Sequence, residues 1–205
     1  MATAREMLNT GERMTSRALT TAAVAAVLAA GCGGASKAPA PVNPNAQEVS
    51  PPGDIPDDQV FVTYSAPGGG FAVKVPEGWA RTTSGGATTF TDKLNAVTVE
   101  SVTAGAPLTV REARATELAK LARTVKGFAA GKVTAVTRKA GMAVRLTYLA
   151  DAPADPVTGR GGRDAVERYV FFHGGRDVIL TLRGPKGADN VDPWRTITDS
   201  LRWTR

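Results

Sequence analysis

The sequence predicts an α+β domain with a mainly antiparallel sheet flanked by helices, and three observations support this fold class. Several short segments alternate apolar and polar residues with the period of two that is typical of β-strands. Two other segments carry apolar residues at helical spacing, one in the middle of the chain and one near its end. Tight turn sequences such as Gly174-Gly175 join neighbouring strand segments, which therefore pair as antiparallel hairpins.

Residues 1–31 are predicted to be a lipoprotein signal peptide that precedes this domain. An apolar run at residues 18–30 is too short to span a bilayer and ends in Ala30-Gly31-Cys32. This ending resembles the lipobox of bacterial prolipoproteins, although Ala29 occupies a position where that pattern usually has leucine. The resemblance implies that the Cys32 sulfur is the lipid attachment site, carrying acyl chains such as palmitate, and that Cys32 becomes the first residue after cleavage.

The surroundings of Cys32 favour lipidation over a role in the fold. It is the only cysteine of the chain and lies in a glycine-rich stretch, where it can neither form an intrachain disulfide nor pack in a core. Two or more acyl chains hold a protein stably on a membrane, so the chain is expected on the extracytoplasmic face of the cell membrane. An ordinary secreted protein with a free thiol is the alternative.

Residues 32–58 are predicted to form a flexible tether, and residues 59–205 the folded domain. The tether is rich in Ala, Pro, Asn, Gly and Ser, includes six prolines, and has almost no large apolar residue. Prolines at this density favour extended, solvated backbone with a reach of about 3 Å per residue. The tether would therefore lift the domain away from the lipid surface.

The first half of the domain is predicted to contain four strands followed by one helix. The strands are expected at residues 60–64, 70–75, 87–91 and 96–103. The string Thr109-Val110-Arg111-Glu112 has the form of a capping box and predicts a helix start, with Gly127 as its end. The apolar stripe of this helix is expected to comprise Ala115, Leu118, Leu121, Ala122 and Val125.

The second half is predicted to contain four more strands and a terminal helix. The strands are expected at residues 132–138, 142–149, 166–173 and 177–183, with one face of the second buried and the other wet. A long polar loop from Asp151 to Asp164 separates the two pairs of strands. The terminal helix is expected to start with Asp192 as its cap and Pro193 at its first position, and to carry Trp194, Ile197 and Leu201 on its apolar face.

The charge of the chain is unevenly distributed. Residues 59–205 carry a net charge of +8, against −3 for the tether and +1 for the signal peptide, which gives +6 for the whole chain. Such a domain would be attracted to anionic lipids or acidic wall polymers by a force that salt screens. The alternative is a scattered, solvated set of charges. Nucleic acid is not an expected partner outside the cytoplasm.

Few residues offer catalytic chemistry, and we predict no catalytic residue, no metal and no cofactor. His173 is the only histidine, which excludes a histidine-based metal cluster, and a lipidated Cys32 excludes a Cys/His pair. A Gly-x-Ser-x-Gly elbow is missing from the sequence, and His173 beside a hairpin turn is expected to be a surface imidazole. Asp151, Asp155 and Asp164 offer oxygen ligands, but their spacing lacks the alternation of a calcium loop.

Two decapeptides resemble the PsbP-like superfamily. One runs from Gly70 to Trp79 and ends in Pro-Glu-Gly-Trp, and the other runs from Trp194 to Trp203. Among its members, LpqN-type lipoproteins of actinobacteria combine such a domain with a lipidated cysteine and a proline-rich tether. The resemblance implies an α/β/α sandwich and a binding, assembly or scaffold role without shared catalytic residues. Trp79 and Trp194 are expected to close the core, with a ligand groove as the alternative.

The sequence thus predicts a membrane-anchored extracytoplasmic lipoprotein that acts as a noncatalytic binding or assembly module. Envelope proteins or a hydrophobic ligand are the expected partners. One alternative is a cell-envelope hydrolase or transferase that works through carboxylates such as Glu100 or Asp164, although general acid/base catalysis needs a convergent pair. The other is a salt-sensitive binder of the wall or of anionic lipids.

Overall fold

The computed structural model describes residues 52–92, 94–154, 159 and 161–204. The predicted signal peptide, Cys32 and most of the predicted tether lie outside the described residues. The strands within the described residues are β1 (Phe61–Ser65), β2 (Phe71–Pro76), β3 (Ala80–Ser84), β4 (Ala87–Thr91), β5 (Ala96–Thr103), β6 (Ala129–Arg138), β7 (Gly141–Asp151), β8 (Arg163–His173), β9 (Arg176–Pro185) and β10 (Arg202–Trp203). The helices are α1 (Val110–Glu112), continued by a π-helical turn (Ala113–Glu117) into α2 (Leu118–Thr124), and α3 (Val191–Asp199).

The strands form two antiparallel sheets. The large sheet has seven strands in the order β3-β4-β5-β9-β8-β7-β6, and the small sheet has the order β1-β2-β10. The predicted hairpin β8-β9 is present, and β6 and β7 also pair antiparallel. The predicted fold class is confirmed: the domain is an α+β sandwich with a mainly antiparallel sheet.

Two hydrophobic cores lie on opposite faces of the large sheet. The first is shared with the small sheet and α3, and includes Phe71, Tyr169, Phe171 and Ile197. The second lies under the helical segment 110–124. Strand β7 therefore contributes to both cores, Ala143 to the first and residues such as Leu146 to the second. The prediction that one face of this strand is wet is wrong at Ala143, because the chain packs a layer on each side of the sheet.

The helical segment 110–124 begins at the predicted capping box. The Thr109 hydroxyl accepts a hydrogen bond from the Glu112 N–H, and the Glu112 carboxylate accepts one from the Thr109 N–H. The hydrogen bonds to Thr109 lower the pKa of the Glu112 carboxyl. The predicted start of the helix is therefore confirmed, because it depends on hydrogen bonds between residues that are close in sequence.

The apolar stripe of that segment differs from the predicted one. Ala115 and Ala122 are exposed, whereas Ala113 is buried together with Leu121. The π-helical turn at Ala113–Glu117 adds a residue to the period, so that the next apolar contact after Ala113 falls at Leu118. A regular period of 3.6 residues therefore predicts that Ala115 and Ala122 are buried, whereas the buried alanine is Ala113.

Strand β3 and the cap of α3 also differ from the predictions. The sequence did not predict β3, because all five of its residues are exposed and show no apolar alternation. Helix α3 starts at Val191 with Asn190, not Asp192, at its N-cap position. The Asn190 side chain does not cap the helix; it accepts a hydrogen bond from the Ile55 N–H and donates to the Gly53 carbonyl.

These contacts place the N-terminal domain boundary before Gln59. Ile55 is only 3% exposed and belongs to the first core. A side chain at Gly53 would collide with Pro185, so the chain runs close against the end of β9 here. Residues 52–58 therefore belong to the domain, and the predicted boundary at residue 58 is too late.

Candidate functional site

The helical segment 110–124 covers only half of one face of the large sheet. The residues that it covers lie mainly on β6, β7 and β8. On the same side of the sheet, β3, β4, β5 and β9 bring Thr82, Thr89, Thr98 and Thr181 into one row, because these four residues are successive partners in the strand register. We call this row and the side chains of Glu100 and Arg168 beside it the open face.

The open face is polar because its strands alternate strictly. Phe90, Val97 and Leu182 alternate with the threonines and point into the first core. The threonine hydroxyls partly satisfy each other, since the Thr89 and Thr98 oxygens lie 2.9 Å apart. Thr82 is exposed, and the other three threonines are half-buried. The result is a hydroxyl-lined strip across four strands.

An ion pair borders the threonine row. The Arg168 guanidinium on β8 donates to the Glu100 carboxylate on β5 at 2.9 Å and to the Thr181 hydroxyl at 2.8 Å. The Arg168 side chain is 14% exposed, so this cation is held in place across β9. Glu100, one of the two acids named for a possible hydrolase, is thus neutralised by an arginine.

The second named acid, Asp164, lies elsewhere on the sheet. It is 2% exposed, and its carboxylate lies 3.2 Å from the Arg183 guanidinium. Burial raises the pKa of the Asp164 carboxyl, and the charge of Arg183 opposes this rise. In the strand register, the row of Glu100 crosses β8 at Val170, six residues from Asp164, which is a separation of about 20 Å along the strand. Glu100 and Asp164 therefore do not converge on one substrate.

A further acid lies between the sheet and the helical segment. Asp177 on β9 is half-buried, and one of its carboxylate oxygens has no hydrogen-bond partner in the described part of the chain. Burial raises the pKa of the Asp177 carboxyl, and the charge of Glu117, at the end of the π-helical turn, raises it further. No sequence pattern indicates that the charges of these two acids influence each other.

The loop residues considered for calcium are only partly described. Asp155 lies outside the described residues. Asp151 ends β7 and accepts a hydrogen bond of 2.7 Å from Arg163, while Asp164 is buried in β8. Within the described residues, no three metal-ligating side chains form a group that could hold an ion.

The single histidine and the tryptophans occupy structural positions. The exposed His173 ring stacks on Trp203 with centroids 4.9 Å apart. The Trp203 indole donates to the Ala140 carbonyl, Trp194 is buried in the first core, and Trp79 packs against that core from its edge. The expectation that Trp79 and Trp194 close the core is confirmed.

Grooves on the described surface are further possible ligand sites, and two of them differ clearly in their lining. An apolar groove of about 170 Å³ lies at the start of the helical segment, lined by Leu108, Val110, Val144 and Phe172, with Met142 at 62% exposure on its rim. A polar groove of about 510 Å³ lies beside α3, lined by Lys74, Lys139, Arg195 and Asp199 among others. Sites for drug-sized ligands measure about 300–1,000 Å³, so the apolar groove is too small for a lipid chain.

The open face was not predicted from the sequence. Each of its threonines lies on a predicted strand or on β3, but their alignment depends on β5 pairing with β9, two strands that lie far apart in the sequence. Polar residues at alternate positions, Thr89 and Thr91 in β4 and Thr98 and Glu100 in β5, were a usable signal for a polar sheet face.

Neither the family models nor the curated proteins include a match to this sequence. Solved structures do match it. The cyanobacterial PsbP of Synechocystis sp. PCC 6803 has a TM-score of 0.51 at 14% identity, covering 76% of this chain and 100% of that one. This similarity shows that the fold is PsbP-like, in agreement with the resemblance of the two decapeptides.

Three further structures are similar at lower TM-scores. LpqN of Mycobacterium tuberculosis, described as involved in cell envelope biogenesis, has a TM-score of 0.40 at 14% identity, covering 73% of this chain and 93% of that one. The Saccharomyces cerevisiae Ran-binding protein Mog1p has 0.48 at 10%, covering 70% and 95%. A Bacteroides thetaiotaomicron protein has 0.47 at 14% and covers 70% of this chain, which spans about half (48%) of that protein.

None of the helices that the structure describes is both long and apolar enough to cross a membrane.

Proposed function

We propose that this protein is a lipid-anchored extracytoplasmic binding or assembly module, and that its open face receives an envelope protein. The observation that carries the proposal is the half of the large sheet that no described helix covers, where four threonines and a neutralised ion pair form a polar strip. Hydroxyls and paired charges suit contact with another polar protein surface, because Thr89, Thr98 and Thr181 and the Glu100–Arg168 pair keep hydrogen bonds within the chain when water leaves.

The same observation disfavours the hydrolase or transferase alternative. General acid/base catalysis needs two groups that reach one substrate, and Glu100 and Asp164 are each held by a different arginine at separate positions on the sheet. The apolar groove at Leu108 and Val110 is likewise too small for a lipid ligand. We therefore favour a protein partner for the open face.

The membrane anchor in this proposal is Cys32. About 20 residues separate it from Pro52, where the described structure begins, and an extended tether of this length reaches about 60 Å. An envelope protein within that distance of the membrane could be reached by the open face.

The anchor is tested with a fatty-acid probe in cells. The wild-type chain is expected to be labelled and to sediment with membranes, whereas Cys32→Ser is expected to lose both properties. Ser16→Ala, which removes a hydroxyl upstream of the cleavage site, serves as the control and is expected to leave labelling unchanged. An unlabelled wild-type chain that stays in the supernatant would contradict the anchor but not the open face.

The open face is tested by site-specific photocrosslinking in intact cells. A photoreactive residue at Thr98 is expected to capture an envelope protein that the same residue at Thr137, exposed on β6, does not capture. The captured protein, once purified, is expected to bind the chain with an affinity that Thr89→Arg lowers at least tenfold and that Thr137→Arg leaves unchanged. Identical products at both positions, or equal effects of both arginines, would contradict the proposal.

A second candidate function is salt-sensitive docking on an anionic surface, which the outer side of the helical segment favours. The exposed cations there are Arg111, Arg114, Lys120, Arg123 and Lys126, with Lys132 beside them on β6. Of the two acids in the segment, Glu112 is tied into the capping box and Glu117 is half-buried. The positive charge is therefore concentrated on one side, where anionic lipids or wall polymers could be attracted.

This candidate is tested with vesicles containing an anionic lipid and the Cys32→Ala chain, which has no anchor. Binding is expected to fall about tenfold in Lys120→Gln/Arg123→Gln, and to fall steeply as salt rises through 0.1–0.5 M. The matched control is Lys139→Gln/Lys186→Gln, which removes the same charge from exposed positions elsewhere. Equal losses in the two double variants would show that only the net charge matters and would eliminate this site.

A further inference from the structure

The two edges of the large sheet differ in how they are protected. At the β6 edge, the pairing with β7 is interrupted by a register shift between Ala130 and Val133, and the Arg114 side chain donates to the Val133 carbonyl. Lys132 is also exposed on this edge. Bulges, lysines and covered carbonyls are the usual devices that prevent edge-to-edge pairing.

The β3 edge has none of these devices among the described residues. All five residues of β3 are exposed, its pairing with β4 is regular, and no described strand pairs with its outer side. Its single charge, Arg81, lies over the Tyr64 ring at 5.0 Å and so is held away from the strand edge. Such an edge is a template for another strand.

The backbone groups that β3 presents outward can be identified from its turn. Gly85 and Gly86, with φ of 58° and 83°, form a two-residue turn between Ser84 and Ala87. In such a hairpin the residues that flank the turn are hydrogen-bonded to each other, and the bonded pairs alternate along the strand. Ser84, Thr82 and Ala80 therefore bond to β4, whereas the N–H and C=O groups of Arg81 and Thr83 point outward.

This pattern is self-complementary. If β3 meets a second β3 antiparallel with Thr82 opposite Thr82, each Arg81 lies opposite a Thr83, and the outward groups of these two residues bond to each other in about four hydrogen bonds. No arginine then faces an arginine directly. The row of Thr181, Thr98, Thr89 and Thr82 also continues into the same row of the second copy.

We propose that two copies of this chain pair through their β3 edges about a two-fold axis at Thr82, forming one continuous antiparallel sheet. The pairing is independent of the partner proposed for the open face and of the lipid at Cys32. A membrane anchor would favour it by confining the chains to one surface at high effective concentration. The occupant is a second copy because the outward backbone groups of one β3 bond to those of another β3. In this pairing no arginine lies directly opposite an arginine.

The test uses disulfide capture in the full-length Cys32→Ala chain, so that each variant has one thiol. Thr82→Cys places two cysteines opposite each other with Cα atoms about 4.5 Å apart, within the range of about 4.4–6.8 Å that a disulfide allows. Ala80→Cys faces Ser84 of the second copy, and the two introduced cysteines are then about 13 Å apart. Ala135→Cys, exposed on the protected β6 edge, is the second control.

Under mild oxidation, Thr82→Cys is expected to form a covalent dimer at least tenfold faster than Ala80→Cys and Ala135→Cys. Equal rates for the three exposed cysteines would indicate random collision and would overturn the proposal. Because none of these variants carries a lipid, the result does not depend on the anchor.

A proline variant tests the backbone pairing itself. Thr83→Pro removes an N–H that points outward, so it is expected to leave the β3-β4 hairpin and the Tm nearly unchanged. Added to Thr82→Cys, it is expected to slow the covalent dimer at least tenfold, to the rate of Ala80→Cys. A folded Thr82→Cys/Thr83→Pro chain that crosslinks as fast as Thr82→Cys alone would also overturn the proposal.

Discussion

On the helix side of the large sheet, β6, β7 and β8 present mainly apolar side chains to the helical segment 110–124, whereas β3, β4 and β5 present mainly threonine, serine and alanine to solvent. Both halves use the same antiparallel pairing, so the difference lies in side chains alone. The covered half has apolar area to bury and recruits a helix; the open half has little on this side and keeps its hydroxyls at the surface. Half a sheet face can thus serve stability while the other half is left for recognition.

The largest effect is expected in the covered half. Leu146 lies on β7 and is fully buried under the helical segment. Leu146→Ala leaves a cavity there and is expected to lower the free energy of unfolding by about 2–5 kcal/mol, measured by urea denaturation. A loss below about 1 kcal/mol would mean that the helix does not pack on this half as described.

The next effect is expected at the boundary between the halves. Glu100→Met leaves the half-buried Arg168 cation without its carboxylate and is expected to cost about 1–3 kcal/mol in unfolding free energy. Arg168→Met in addition removes the unpaired cation, so the double variant is expected to recover part of that loss. If the losses of unfolding free energy in the two single variants add up in the double variant, Glu100 and Arg168 do not stabilise each other across the boundary.

A smaller effect on stability is expected at Asp177, and this effect depends on pH. Its folded-state pKa is raised by burial and by Glu117, so ionisation favours the unfolded chain, and stability is lost as pH rises from below the ordinary aspartate pKa of about 3.9 through the raised value. Asp177→Asn is therefore expected to raise the Tm at pH 7 by about 1–3 °C and to change it little at pH 3.

Glu112→Gln is the opposite-sign control for this pH series. The Glu112 pKa is lowered in the fold by its hydrogen bonds to Thr109, so its contribution is present above the ordinary glutamate pKa and is lost as pH falls through the lowered value. This variant is expected to be less stable than the wild type at pH 7, with the difference shrinking toward pH 2. Matching pH profiles for the two variants would contradict both assignments.

The smallest effect on stability is expected in the open half. Thr98→Ala removes one hydrogen bond to Thr89 from a half-buried position and is expected to change the unfolding free energy by about 0.5 kcal/mol or less. The same substitution is expected to weaken capture of the envelope protein. A destabilisation as large as that of Leu146→Ala would show that the threonine row is part of the core rather than a recognition surface.

Features that depend on neighbouring residues could be predicted from the sequence. The alternation of β7 and β9, the two-glycine turn between β8 and β9, and the capping box at Thr109 each rest on interactions within a few positions. Such local hydrogen bonds and periods are written in consecutive residues, so most strands, the start of the central helix and the α+β class were predicted correctly.

The choice of neighbouring strands, and of the half of the face that stays open, depended on packing across the whole domain. Pairing of β5 with β9 aligned Thr98 with Thr181 and brought Glu100 to Arg168. Ile55 joined the core from a segment with no pattern of its own, and β3 became a strand without apolar alternation because β4 offered it a complete set of hydrogen bonds. Contacts between residues far apart in sequence depend on the packing of the whole domain, and the local periodicity of a single sequence does not reveal them.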